Sequence, residues 1–194
     1  MVRVNTLVTH PASSMSKNPK YEGKWLKFCA VSFTNSEGQS REWEYATRIG
    51  SIGAASIIAI QDGNEPKIVL VKQFRPPINN YALEFPAGLI DSGESIESAA
   101  LRELEEETGY LGEIVHIGPS IYSSPGLTDE HVSLVTINVT GKVESKTEPD
   151  EVIEIVILPL KDLHKNLTRI HSEGITIDAK LWSFAQGLSW NLPD

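Results

Sequence analysis

An α/β fold in which helices pack on a mixed β-sheet is what this sequence predicts, and three observations predict it. Apolar, β-branched runs separated by turn chemistry mark strands, and three segments with apolar residues at helical spacing mark helices. Their order along the chain is strands, helix, strands, helices, without the regular alternation of a doubly wound parallel sheet. With 194 residues, 40% hydrophobic and 22% charged, the composition is that of a globular domain.

The elements follow in order. Residues 1–20 hold no Asp or Glu and carry Arg3, Lys17 and Lys20, with no apolar run long enough for a secretory signal, so a loose tail is expected. Residues 21–50 read as a strand hairpin. Lys24 to Phe33 and Ser40 to Arg48 alternate, Trp43 and Tyr45 interleave with Glu42 and Glu44, and Asn35-Ser36-Glu37-Gly38 supplies the turn. Ala54 to Ile60 and Lys67 to Gln73 form a second pair around Asp62-Gly63-Asn64, ended by Pro76-Pro77. Further strands are expected at Tyr81 to Phe85, Ile114 to Ile117, Val132 to Val139 and Val152 to Leu158. Helices are expected at Ser95 to Thr108, through Leu160, Leu163, Leu167 and Ile170, and after Asp178 as N-cap with Leu181, Ala185 and Leu188 on one face. Gly141 to Asp150 is polar and reads as an exposed loop.

Charge and cysteine usage exclude several classes. Seventeen Lys and Arg against 26 Asp and Glu leave a formal charge of −9, which repels nucleic-acid backbones. The longest uncharged stretches, Ile49 to Gln61 and Ile114 to Thr128, are shorter than a membrane span. Cys29 is the sole cysteine, which rules out an intramolecular disulfide and fits a reducing, cytoplasmic setting, with the nucleus and then the mitochondrion as alternatives.

The helix at Ser95 to Thr108 carries the chemistry. Glu103, Glu105, Glu106 and Glu107 crowd its C-terminal end, where like charges three or four apart repel and the helix dipole opposes negative charge. At about 100° per residue, Glu103, Glu106 and Glu107 share an arc of roughly 100° with Ile96, Ala99 and Ala100, while Glu105 points elsewhere beyond Leu101 and Leu104. A solvated face would lie opposite the apolar residues, whereas these acids extend the packed stripe. Three carboxylates converging at a partly buried site require a cation. Oxygen ligands without His or Cys select Mg²⁺, with Mn²⁺ as substitute, and Mg²⁺ bound by few carboxylates completes its shell with water and substrate phosphates. Arg102 stands one turn before Glu106, at ion-pair spacing.

Gly88, five residues, Glu94, seven more, Arg102-Glu103, then Leu104-Glu105-Glu106-Glu107-Thr108-Gly109-Tyr110 resembles the Nudix box at every fixed position over 23 residues. The resemblance implies an α/β/α sandwich over residues 51–194 and metal-dependent attack of water on a nucleoside diphosphate linked to another group. It makes Glu103 and Glu107 metal ligands, Glu106 a further ligand or water-orienting group, and Ala87 a ligand through its carbonyl. The flanks Leu70-Val-Lys-Gln-Phe-Arg-Pro-Pro77 and Leu83-Glu-Phe-Pro-Ala-Gly88, with Pro125 beyond the box, resemble the ADP-ribose and ADP-sugar pyrophosphatase branch, especially its animal members.

That likeness implies a nucleotide-sugar substrate, with ADP-ribose first, other ADP-sugars or an oxidised nucleotide as alternatives, and a nucleotide-sensing module as the non-enzymatic reading. It also implies a homodimer joined through the N-terminal hairpin. Arg75 would contact the substrate phosphates, as an arginine before Pro76-Pro77 on a strand end can offer a bidentate fork. Trp25 and Trp43 would stack the adenine, one from each subunit, with Glu44 and Arg48 on the base and ribose side and Leu89 also against substrate. Two tryptophans in alternating strands would otherwise be read as core. The general base, which also reaches the metal, maps to Glu151, with Glu148, Asp150, Glu154 and Glu106 as alternatives.

Overall fold

The computed structural model describes residues 16–145 and 152–190. The chain forms two compact units, one taking in residues up to Gly50 together with Ser124–Glu130, the other Ser51–Ser123 with His131 onward.

The first unit is a three-stranded antiparallel sheet of β1 (Ser16–Glu22), β2 (Leu26–Thr34) and β3 (Ser40–Arg48) in that spatial order. The β2–β3 hairpin turns where the sequence expects it, with Asn35 Oδ1 accepting from the amides of Gln39 (2.8 Å) and Glu37 (3.1 Å) and Gly38 at φ 77°. β1 corrects the expectation of a loose tail reaching to residue 20. Lys17 pairs with Val31 and Pro19 with Cys29, so the segment adds a third strand to the hairpin despite its weak alternation. Pro19 is tolerated because the pairing shifts register between Pro19 and Tyr21.

The second unit holds β4 (Ala54–Gln61), β5 (Lys67–Arg75), β6 (Asn80–Glu84), β7 (Ala87–Leu89), α1 (Ile96–Thr108), β8 (Tyr110–Tyr122), β9 (His131–Lys142), β10 (Ile153–Pro159), α2 (Leu163–Ser172), β11 (Thr176–Ile177) and α3 (Ala179–Ser189). Its sheet runs β11-β6-β5-β4-β9-β8, with β10 on the other edge of β5 and β7 on β4. The sheet is mixed: β4 runs parallel to β9 and β11 to β6, and the remaining pairs are antiparallel.

Alternation along the central strands feeds two cores. Ala55, Ile57, Ala59 and Val69 pack with Ala99, Ala100 and Leu104 of α1, whereas Ile58, Ile68 and Leu70 pack with Leu163, Leu167, Leu181 and Ala185 of α2 and α3. The second unit is therefore a helix–sheet–helix sandwich. Leu160 precedes α2 and still packs against that core, but Leu188 is exposed at the end of α3, contrary to the face expected for it. Asp178 caps α3 as expected, its carboxylate accepting from Lys180 and Leu181 amides. The strands β7 and β11, with three and two residues, are too short to leave a periodic signal.

One irregularity in this sheet positions the chemistry. β4 and β5 pair only at Ala59–Gln61 with Lys67–Val69, and then diverge. On one side of the gap β4 takes β7 as partner, matching Ala54 with Leu89 and Ser56 with Ala87; on the other β5 takes β6, matching Val71 with Glu84. The connection Phe85-Pro86 bridges the opening, with Pro86 carbonyl accepting from Ile57 N at 2.8 Å. α1 lies over β7, which puts its acidic turn beside that opening.

Leu104 is fully buried on α1 and Leu101 is exposed on its outer side. Leu104→Ala is expected to lower unfolding free energy by about 2–5 kcal/mol, and Leu101→Ala by no more than roughly 0.5 kcal/mol, both read from urea denaturation.

Candidate active site

α1 begins with Ser95 as N-cap, its hydroxyl accepting from Ser98 N at 3.2 Å, and ends at Gly109 in the left-handed region at φ 70°. Between these caps the acids divide by burial. Glu107 is 9% exposed and Glu103 has a side chain 14% exposed, whereas Glu106 is 43% exposed. The buried stripe runs through Ala99, Ala100, Leu104 and Glu107, so two of the carboxylates do extend the packed face.

Each of these two acids meets β7, the strand that leads toward the helix. Glu107 Oε2 accepts from Ala87 N at 3.1 Å. The Glu103 carboxylate lies against Gly88, where a Cβ would fall inside it, so glycine is required there by contact rather than by backbone angle. Arg102 ties the rest together. Its guanidinium donates to Glu94 Oε1 and Oε2 (both 3.0 Å), to Glu103 (2.7 Å), to Glu106 (3.0 Å) and to the Leu89 carbonyl (3.1 Å). The bond to Glu94, ahead of those to Glu103 and Glu106, raises the Arg102 pKa above its ordinary value. The same bond, followed by the Asp91 amide, holds the Glu94 carboxyl below the usual carboxylate value.

Glu103 and Glu106 meet at Arg102 Nη1, while Glu107 turns to the Ala87 amide. Among the described residues no three acidic or imidazole groups stand close enough together to hold one ion. The positive group among the acids is Arg102, which sets one positive charge against Glu94, Glu103 and Glu106 and leaves the turn strongly negative. The remaining donors still suit a hard divalent ion. Two carboxylates, Glu103 and Glu107, flank the backbone of Ala87 and Gly88, and Mg²⁺ needs only one or two carboxylates when water and phosphate supply the rest.

Arg75 ends β5 on the face of Val69 and Val71, the side covered by α1. It bonds Glu84 through two parallel contacts, Nε to Oε1 at 3.0 Å and Nη2 to Oε2 at 2.5 Å. The Glu84 hydrogen bond, then the fields of Glu84, Glu107 and Asp178, raise its pKa against the opposing effect of burial. Arg75 thus shares an electrostatic neighbourhood with Glu107, although the two are 32 residues apart in sequence (107 − 75). Glu84 received no role from the sequence; only the β5–β6 pairing makes it a neighbour of this arginine.

Glu154 does not belong to this group. On β10 it shares the side of Val156, which packs toward α2 and α3, while Ile155 faces the α1 core, and it pairs with Lys72. Glu148, Asp150 and Glu151 lie outside the described residues. Leu89 is exposed on β7, beside Gly88.

Trp25, Trp43, Glu44 and Arg48 belong to the first unit. Neither tryptophan is a core residue: Trp25 is 66% and Trp43 52% exposed, and Glu44 is exposed as well. The loop Ser124–Glu130 holds Trp43, Ala46 and Arg48 of β3. Trp43 Nε1 donates to Gly126 O at 3.0 Å, Ala46 N to Leu127 O at 2.8 Å, and Arg48 Nε to Glu130 Oε1 at 2.6 Å. Nothing in the local pattern of residues 124–130 signals this attachment.

The NUDIX domain matches residues 51–178. The chain is 43% identical over 180 residues to the ADP-sugar pyrophosphatase of Mus musculus, covering 86% of this chain and 83% of that one. It is 36% identical over 178 residues to the ADP-ribose pyrophosphatase of Saccharomyces cerevisiae, covering 85% and 77%. A crystal structure of an ADP compounds hydrolase superposes with a TM-score of 0.62 at 21% identity, covering 80% of this chain and 82% of that one, a likeness of fold.

The Glu94–Arg102 pair makes a pH prediction. A carboxyl whose folded pKa is depressed adds stability above its ordinary value of 4.5 and loses it as pH falls through the lower folded value. Glu94→Gln is therefore expected to lower the urea midpoint at pH 7, and its gap from the parent chain is expected to close as pH drops below 4.5, measured by denaturation across pH.

Proposed function

The chain belongs to the Nudix family, and on that premise we propose that it is a divalent-metal-dependent hydrolase of ADP-ribose. It splits the pyrophosphate bond to give AMP and ribose 5-phosphate, and treats other ADP-sugars in the same way. The observation that carries this reading is the meeting of the Glu103 and Glu107 carboxylates with the backbone of Ala87 and Gly88, with Arg75 in the field of Glu107. The names of the mouse and yeast relatives supply the substrate class.

In this proposal Glu103, Glu107 and the Ala87 carbonyl would hold Mg²⁺, or Mn²⁺ in its place, with Glu106 and Glu151 as further ligands. The ion, when bound, supplies charge neutralisation of the diphosphate and a water of lowered pKa. Arg75 grips a phosphate oxygen by a charge-assisted hydrogen bond. Glu106, held by Arg102, orients the attacking water. Glu151 takes the proton as the water oxygen bonds to phosphorus and the bridging P–O bond breaks. Trp25 and Trp43 offer exposed indole faces to the adenine, with Glu44, Arg48 and Leu89 completing the nucleoside and ribose contacts.

AMP release from ADP-ribose is expected only with a divalent ion present. Glu103→Gln and Glu107→Gln are expected to abolish it while keeping the circular dichroism of the fold. Glu151→Gln is expected to lower kcat by about 10²- to 10⁴-fold with little change in affinity for a non-hydrolysable analogue. Wild-type turnover in the Glu103 and Glu107 variants at saturating Mg²⁺ would remove the metal assignment.

A homodimer joined through the N-terminal sheet belongs to the same proposal. Tyr21, Trp25, Leu26, Phe28 and Trp43 are exposed on the first unit, an apolar set that a second copy would cover. Light scattering at assay concentration is expected to give twice the chain mass of 21.4 kDa; a fully active monomer contradicts the shared site.

A further inference from the structure

Arg75 is paired along one edge of its guanidinium. Its Nε and Nη2 edge is closed by both oxygens of Glu84, whose side chain is 16% exposed, while Arg75 itself is 44% exposed. In the strand register Glu84 stands opposite Val71 and Arg75 opposite Asn80, so the guanidinium reaches back along β5 to make this pair. Glu84 is fixed in turn. It ends β6 immediately before Phe85, which is 1% exposed in the core under α2 and α3, and the chain continues through Pro86 to Ala87 and Gly88.

We propose that Glu84 is the positioning residue of the phosphate grip: by clamping one edge of Arg75 it aims the Nη1 edge, which stands outside the pair, at a phosphate oxygen of the substrate. The inference rests on the assignment of Arg75 to the substrate phosphates. A carboxylate beside a phosphate-binding arginine opposes the incoming anion, so its presence has to be offset by what it fixes. An exposed arginine side chain on its own spreads over many rotamers, and ordering it during binding costs affinity. A bidentate carboxylate removes that freedom before the substrate arrives, and keeps the planar fork in one orientation relative to the Ala87–Gly88 backbone. Because the clamp and the metal-side backbone belong to one continuous segment, Glu84 to Gly88, the phosphate grip and the carboxylate turn keep a common register.

The opposite role is also physically coherent and has the opposite sign. If Glu84 merely occupied Arg75 until phosphate displaced it, removing the carboxylate would strengthen binding.

The test uses the full chain with Mg²⁺, ADP-ribose for turnover, and α,β-methylene ADP-ribose, whose bridge resists hydrolysis, for binding by calorimetry. Glu84→Ala is expected to lower kcat/KM by about 10²-fold, the scale of a misplaced binding group. Glu84→Gln, which keeps one acceptor for Nε, is expected to recover part of that loss and to weaken analogue binding without a matching fall in melting temperature. In an Arg75→Ala background, Glu84→Gln is expected to change nothing further. Tighter analogue binding by Glu84→Gln overturns the proposal in favour of displacement. An equal, additive loss in the Arg75→Ala background overturns it in favour of a structural role. Normal analogue binding by Arg75→Ala overturns it together with the phosphate assignment, whereas weak binding by Arg75→Ala with normal Glu84 variants overturns the clamp alone. If the parent chain releases no AMP from ADP-ribose, the functional reading fails by itself, since analogue binding still reports on the clamp.

Discussion

The guanidinium of Arg102 is the interaction on which the acidic turn depends. Four glutamates within five residues near a helix C-terminus repel one another and oppose the helix dipole, and α1 has no basic residue in its last turn to relieve them. Arg102 answers this from one turn earlier by reaching Glu103, Glu106, Glu94 and the Leu89 carbonyl. The same side chain therefore does two things. It makes the density of carboxylates tolerable, and it fastens the loop of residues 89–94 to the helix. It does not neutralise them all, and the negative potential that remains is what a divalent ion would answer.

The second constraint is the divergence of β4 from β5. A sheet whose central pair stayed together would leave no place for the Glu84–Leu89 segment, and that segment carries Glu84, Ala87 and Gly88. The split makes each half of the opening find a new partner, so the backbone of β7 becomes an edge against which α1 lays its carboxylates. Gly88 is where the two constraints meet: helix packing presses Glu103 onto the strand, and only a residue without a side chain leaves room.

How much of this was legible in the sequence differs by element. The turn at residues 35–38, the cap Asp178 and the central strands could be read, because each rests on local chemistry such as an Asx turn, a side-chain cap or a β-branched run. The strand at Ser16–Glu22 could not, since its polar residues are ordered by pairing with β2 and not by a face of their own. Periodicity placed Glu103 and Glu107 on the packed side, and burial agrees, whereas of the bonds made by Arg102 only the one to Glu106, one helical turn away, could be read from spacing. Glu154 looked equivalent to its neighbours in sequence, and strand parity with its Lys72 partner sets it on the other face. Glu84 and Glu130 were invisible as partners of Arg75 and Arg48 because the first pairing is made across strands and the second over 82 residues of chain.

The loop at Ser124–Glu130 makes the first unit discontinuous. Its backbone completes β3 and its acid completes Arg48, yet it is encoded between two strands of the other unit. In modular terms the N-terminal sheet is not a cassette. A gene truncated before Ser51 would strip the carbonyls of Gly126 and Leu127 of the donors on β3 and leave the Glu130 carboxylate without Arg48. Grafting residues 16–50 onto another sandwich would carry over the strands and exposed indoles, but not the loop that holds them. Exchange of this unit between relatives therefore requires two segments to move together, which ties any change in the N-terminal sheet to a compensating change in a loop some eighty residues away.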